Sequence, residues 1–260
     1  MELRDKVVVV TGGGSGIGKA LVTRFVAEGA RAVVAADIND EAARQTARDA
    51  GCVAMTADVG REEDIRRLIE KTEGDIGPID LFCSNAGVAL GTDESSPNSE
   101  WQASWDVNVM SHVYASRHLL PRMRKRGGGY FLITASAAGL LNQIGGAAYG
   151  TTKHAAVGFA EWLALTYAHE DIKVSVLCPQ AVRTAMVTTD PENDSARAAA
   201  ADGMIEPEVV ADIVVEKLGD ESFLILPHQE VLEYMRRKTA DYDRWIAGMN
   251  RLFRKLSGID

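Results

Sequence analysis

Tyr149 and Lys153 stand four residues apart in Tyr149-Gly150-Thr151-Thr152-Lys153, so in a helix their side chains lie one turn apart on one face. Ser136 sits just past the apolar run Tyr130–Ala135, which places it at the carboxyl edge of a sheet, where α/β proteins bind ligands. A phenol, an ammonium and a hydroxyl in that arrangement suit the oxidation of an alcohol. Hydride cannot leave a carbinol carbon unless the hydroxyl proton also leaves, and the reverse reaction needs that proton returned. Tyr149 can do both, but an ordinary tyrosine titrates near pH ~10. Lys153, as a nearby cation, is expected to lower that value, and Ser136 to donate to the substrate oxygen. Taken alone, Tyr-x-x-x-Lys is also an ordinary helical pair. Its order with Ser136 and with a glycine-rich turn near the start of the chain favours the chemistry.

That turn is Thr11-Gly12-Gly13-Gly14-Ser15-Gly16-Ile17-Gly18, directly after the buried-strand pattern Val7–Val10 and before a helix with apolar Ile17, Leu21, Val22, Phe25 and Val26. Glycines let the backbone turn tightly and approach a ligand, and a helix N-terminus offers free N–H groups to a pyrophosphate. The spacing Gly12-x-x-x-Gly16-x-Gly18 differs from the general dinucleotide fingerprint; by itself it also suits a plain β–α connection. The second strand ends at Asp37, about twenty residues past the glycines. A carboxylate there accepts hydrogen bonds from an adenosine ribose and repels a 2′-phosphate. Neighbouring Ile38 and Asn39 supply no arginine, so NAD is favoured over NADP. Asp37 can equally cap the following helix, and both readings stand at this point.

These residues need a scaffold, and the rest of the chain describes one. Short aliphatic runs near 6–11, 31–37, 51–57, 79–84, 129–135, 172–178 and 222–226 alternate with helical stretches near 16–28, 40–49, 61–73, 98–126, 147–170 and 207–218. That alternation predicts a Rossmann-like, doubly wound α/β fold: a seven-stranded parallel sheet with helices on both faces. No stretch reads as an interdomain linker, so one domain over 1–260 is expected. The composition, 46% hydrophobic and 25% charged, suits a globular α/β protein. A net charge of −9 speaks against nucleic acid or an anionic membrane as the main partner. Cys52, Cys83 and Cys178 lie in apolar stretches without metal-ligand spacing, and no signal or membrane-spanning segment is evident. A cytoplasmic protein with no metal is the expectation.

With these motifs in order, the chain resembles the short-chain dehydrogenases/reductases of the compact type, from about residue 4 to residue 226. The family's glycine turn corresponds to Thr11–Gly18, its Asn-Asn-Ala-Gly stretch to Ser84-Asn85-Ala86-Gly87, and its serine and Tyr-x-x-x-Lys to Ser136 and Tyr149–Lys153. Its further asparagine is Asn108. The resemblance implies that Asn108 supports a proton relay near Lys153 through its helix backbone. It places Gly12, Ser15, Gly16, Ile17, Asp37 and Ile38 on the cofactor, with Asp58 and Val59 flanking the adenine. Asn85, Ala86 and Gly87 would support its middle, Lys153 the nicotinamide ribose, and Pro179, Val182 and Thr184 the nicotinamide end. One departure stands out: the family's Pro-Gly after the sixth strand is Pro179-Gln180 here.

By the same resemblance the substrate meets Ser136, Ala137, Leu141, Gln143, Tyr149, Gln180, Ala181 and a loop at about 185–205 that includes Met186 and Met204. The apolar side chains among these suit a hydrophobic secondary alcohol or ketone, with Gln143 as a polar anchor. The C-terminal extension, about 229–257, carries Leu232, Met235, Tyr242, Trp245, Ile246, Met249, Leu252, Phe253 and Leu256 at helical spacing. Packing on the core or on a sister subunit is favoured over an interfacial membrane helix, because acidic residues interrupt it. The resemblance also implies a homodimer or homotetramer. The leading expectation is an NAD-dependent oxidoreductase interconverting an alcohol and a ketone. The alternatives are a nucleotide-bound sensor or scaffold without turnover, which has no need of a proton relay, and a nucleotide-sugar epimerase or dehydratase, whose relatives carry a longer substrate domain.

Overall fold

Val7–Val10 are all fully buried. A strand with no polar face must belong to a sheet covered on both sides. The computed structural model, which describes residues 1–188, 200 and 203–259, has such a sheet. Its strands are β1 (Val7–Thr11), β2 (Ala32–Asp37), β3 (Val53–Thr56), β4 (Leu81–Ser84), β5 (Gly129–Thr134), β6 (Ile172–Leu177) and β7 (Leu224–Ile225). They lie in the order β3-β2-β1-β4-β5-β6-β7, and each adjacent pair is parallel. The order reverses between β1 and β4. There the connections leave toward opposite faces and open a crevice at the carboxyl ends of the strands.

The helices are α1 (Gly16–Ala27), α2 (Asp40–Ala50), α3 (Glu62–Asp75), α4 (Asn98–Trp105), α5 (Ser111–Lys125), α6 (Ala138–Leu141), α7 (Ala147–Tyr167), α8 (Ala185–Thr188), α9 (Pro207–Gly219), α10 (Glu230–Ala240) and α11 (Tyr242–Leu256). Strand residues alternate between two cores although nearly all are apolar. Val7, Val9, Phe82, Phe131 and Val174 pack with α3, α5 and α7 through residues such as Ile65, Leu119 and Leu163. Val8, Val10, Leu81, Leu132 and Leu177 pack on the other face with Phe25 of α1 and Val214 of α9.

Three local features depart from the sequence reading. The stretch read as one helix over 98–126 contains a π turn at Asp106–Met110 between α4 and α5. Helix α6 was not foreseen. The C-terminal extension is two helices rather than one run, because the Asp241 side chain accepts the Arg244 N–H at 2.9 Å and starts a new helix. Most of the substrate loop expected at 185–205 falls outside the described residues.

Gly18 packs α1 onto the preceding turn: a Cβ built there would lie 2.0 Å from the Gly12 carbonyl oxygen. Gly158, on the exposed side of α7, has nothing within 4 Å of its own. Gly18→Ala is therefore expected to lose at least about 2 kcal/mol of stability, whereas Gly158→Ala gains up to about 1 kcal/mol from helix propensity. Thermal melts of the two variants check this pair; equal melting temperatures would show that the turn yields.

Candidate active site

The crevice between the β1 and β4 ends is built from short connections. After β1 the chain passes through Gly12, in the left-handed region at φ +66°, and enters α1 at Gly16. Ser15 precedes α1 but makes no side-chain cap bond, which leaves first-turn N–H groups available to an anion. After β4, Asn85 ties three strands together. Its Nδ2 donates to the Thr11 carbonyl (3.0 Å), its Oδ1 accepts from Thr134 Oγ1 (3.0 Å), and its N–H donates to Thr11 Oγ1 (2.9 Å).

At the far end of the crevice, Asp37 closes β2. Its two carboxylate oxygens accept the backbone N–H groups of Gly14 and Asn39, each at 2.9 Å. Asp37 does not cap α2: that position belongs to Asn39, whose side chain accepts from Ala42 N–H at 3.1 Å. Asp37 is thus held against the glycine turn with an edge on the crevice.

At the other end, Lys153 is only 3% exposed and its Nζ donates to the Thr134 carbonyl at 3.0 Å. It lies 5.7 Å from the centroid of the Tyr149 ring. The Tyr149 and Ser136 side chains are hydrogen-bonded to each other. Ser136 Oγ also reaches the Pro179 carbonyl (3.3 Å) and accepts the Ala138 N–H (3.1 Å). Burial pushes the Tyr149 phenol above its ordinary value, and the Ser136 bond pulls it partly back. Desolvation, not the neighbouring Lys153, sets the direction of the Tyr149 phenol. The same burial lowers Lys153 to about 8.

One cleft takes in Gly12, Ser15, Gly16, Ile17, Asp37, Ile38, Asp58, Val59, Asn85, Ala86, Gly87, Pro179, Val182 and Thr184, together with Ser136, Tyr149, Lys153, Gln180 and Met186. Two expected substrate residues are elsewhere. Leu141 is 8% exposed and packs with Ala137 and Val231 in a satellite core. Gln143 follows α6 beyond the cleft wall, its N–H donating to Asn142 Oδ1 at 2.8 Å. Leu141 turns into that core at the end of α6, and the Gln143 side chain packs over Gly146, beside Tyr149. Asn108 does not line the cleft either. Fully buried, it accepts the Val88 N–H (3.0 Å) and donates to the Val88 carbonyl (2.9 Å) and Thr152 Oγ1 (3.1 Å). It clamps the β4 loop to α7 from the π turn.

Sequence reasoning missed several neighbours. Gly18, Ala57, Val88, Val107, Thr134 and Ala135 also wall the cleft. Beneath it, Ser84 Oγ meets His112 Nδ1 at 2.6 Å, both side chains buried. Burial and the charge of Lys153 hold His112 neutral, its pKa pushed down to about 3. The available signal was Ser84 itself, standing where the family has asparagine. Among the described residues no cluster of His, Cys, Asp or Glu can hold a metal ion, and no helix is long and apolar enough to cross a membrane. Cys83 and Cys178 are free and buried, their thiols pushed up by desolvation.

With a parallel sheet of this order and these groups on its crevice, comparison with known proteins is informative. Residues 6–195 match the short-chain dehydrogenase family model, and the chain belongs to that family. It is 35% identical to a 1-deoxy-11-beta-hydroxypentalenate dehydrogenase of Streptomyces exfoliatus, over 95% of this chain and 92% of the relative. It is 36% identical to a 2,5-dichloro-2,5-cyclohexadiene-1,4-diol dehydrogenase of Sphingobium indicum, over 75% of this chain and 79% of that one. Its fold superposes on a crystal structure of a short-chain dehydrogenase/reductase from Burkholderia phymatum in complex with NAD. That match has a TM-score of 0.84 at 27% identity and covers 94% and 96% of the two chains.

The buried lysine has a measurable signature. Between about pH 8, where Lys153 titrates when folded, and its ordinary 10.5, the unfolded chain binds the extra proton, so stability from this group rises with pH across that window. At pH 7 its burial as a cation costs a net amount on the order of 3 kcal/mol. Lys153→Met is expected to melt several degrees above the parent at pH 7, with the gap closing near pH 10. A variant that melts lower at pH 7 would contradict the assignment.

Proposed function

We propose that the protein is an NAD-dependent oxidoreductase that interconverts a secondary alcohol and a ketone on a hydrophobic small molecule, with Tyr149 as acid and base. One observation carries the reading. The hydrogen-bonded Tyr149–Ser136 pair and buried Lys153 share a single cleft with a glycine turn and a fixed carboxylate, Asp37.

The residues present fit a dinucleotide. The uncapped first turn of α1 suits a pyrophosphate, and Asp37 suits an unphosphorylated ribose. Asp58 and Val59 are proposed for the adenine side, with Asn85, Ala86 and Gly87 along the middle and Pro179, Val182 and Thr184 at the nicotinamide end. When bound, NAD+ supplies the hydride acceptor. Tyr149 takes the alcohol proton during oxidation and returns it during reduction, while Ser136 holds the substrate oxygen. Lys153 holds positive charge beneath the phenol, and Asn108 keeps the β4 loop and α7 in register around it. The relatives' names, a hydroxypentalenate dehydrogenase and a cyclohexadienediol dehydrogenase, are those of enzymes of hydroxyl-bearing ring compounds. Cyclic secondary alcohols therefore head the substrate class.

A screen of cyclic and aryl secondary alcohols and of the matching ketones, followed at the nicotinamide absorbance, tests this directly. Tyr149→Phe should lower kcat by roughly 10²–10⁴-fold while NADH binding, read by fluorescence, stays within about twofold. Retained turnover would remove Tyr149 from the chemistry. NAD should outperform NADP by at least about tenfold in kcat/KM, and Asp37→Ser should narrow that ratio. Equal efficiency with NADPH in the parent protein would refute the cofactor preference.

A further inference from the structure

The helices α10 and α11 lie beyond the stretch matched to the family model, which ends at residue 195. Two buried side chains in and just before α10 reach back to the wall of the cleft. Lys238, only 9% exposed, donates from Nζ to the Leu140 carbonyl at 2.7 Å, and its ammonium lies 5.3 Å from the centroid of the Tyr242 ring. Leu140 belongs to α6, so the cation sits against a helix carbonyl where positive charge is favourable. His228, 6% exposed, accepts the Gln180 backbone N–H on Nδ1 at 3.2 Å. Because the donor is a main-chain amide, Nδ1 must be the bare nitrogen of a neutral ring.

Both anchors act one step from Ser136. Helix α6 begins two residues after it, with Ala138 N–H on Ser136 Oγ and Gly139 N–H on the Ser136 carbonyl at 2.9 Å. The α6 backbone lies so close to α7 that a Cβ on Gly139 would be 2.5 Å from the Lys153 carbonyl oxygen. On the other side, the Pro179 carbonyl accepts from Ser136 Oγ and from the Ala137 N–H at 2.8 Å, and the next residue is Gln180. Fully buried Val231 fills the space between, against Ala137 and Leu141.

We propose that His228 and Lys238 are positioning residues for the substrate: they fix Gln180 and α6, the two backbone segments that flank Ser136. This rests on the alcohol dehydrogenase reading above. It assigns a role to the C-terminal extension. A lysine kept away from water is costly unless its bonds are made, and here its ammonium donates to a carbonyl of the segment it steadies. Displacement of either segment moves the substrate oxygen relative to Tyr149, whereas the Asp37 and pyrophosphate ends of the cleft keep their contacts, so alcohol affinity should fall far more than cofactor affinity.

The test uses the full-length protein with an alcohol it turns over. His228→Leu removes the acceptor for Gln180, and His228→Asn supplies another; Lys238→Met removes the donor to Leu140, and Lys238→Arg keeps one. His228→Leu and Lys238→Met are expected to raise KM for the alcohol about tenfold or more, with a much smaller change in NADH affinity. His228→Asn and Lys238→Arg should recover most of the loss. An unchanged KM in the first two, or an equal fall in NADH affinity, overturns the proposal. If those variants do not fold, hydrogen exchange of the parent decides: amides of 138–141 exchanging as fast as an exposed loop would show that α6 is not held. A parent protein with no alcohol turnover sinks the functional reading and this inference together; turnover with an unmoved KM sinks the inference alone.

Discussion

The side-chain amide of Asn85 is the constraint on which the site depends. Parallel strands part at the point where their order reverses, and the resulting crevice carries backbone groups that no ladder satisfies. Asn85 fills that gap by bonding to β1 through Thr11 and to β5 through Thr134, while it continues β4 itself. Thr134 then presents its carbonyl to Lys153. One amide therefore links the turn that faces the phosphate end to the cation that underlies the reacting end. The cleft is a single object because these bonds run across it.

Electrostatics at the reacting end work against stability. Lys153 and His112 are shut away from water and Tyr149 is half-buried on the cleft wall, and desolvation moves each toward its uncharged form. A fold selected for stability alone would place aliphatic side chains there. The polar groups are retained in an organised set instead, with Ser84 on His112, Thr134 on Lys153 and Ser136 on Tyr149. Such expense at one edge of the sheet is offset by two uninterrupted aliphatic cores on its faces.

Much of this was legible in the sequence because the signals were local. An unbroken valine run can only be a doubly covered strand, and the glycine turn, Asp37, Ser136 and Tyr149–Lys153 each sit at a strand end or a helix start. What stayed hidden depends on distance or on a fine choice of backbone path. Trp105 to Ser111 reads as continuous helix, since nothing in its side chains marks a π turn. Ala138–Leu141 is too short to show a period, although its path decides where Leu141 and Gln143 lie. Asn142 ends the short helix with a positive φ of +74° and an extended ψ of 174°. His112 meets Ser84, and Lys238 meets Leu140, only after the chain has folded, 28 and 98 residues apart in sequence.

The wide turn at Asp106–Met110 makes this region sensitive to length rather than to composition. A π turn stores one residue more than an α turn, and each residue rotates a helix by about 100°. Loss of a single residue there would close the wide turn to an α turn and leave α4 nearly in phase with α5, whose Ala115, Leu119 and Met123 are locked into the core. The Asn108 amide would then swing off Val88 and Thr152. The extra residue thus sets the reach of one buried amide rather than the register of the helices it joins.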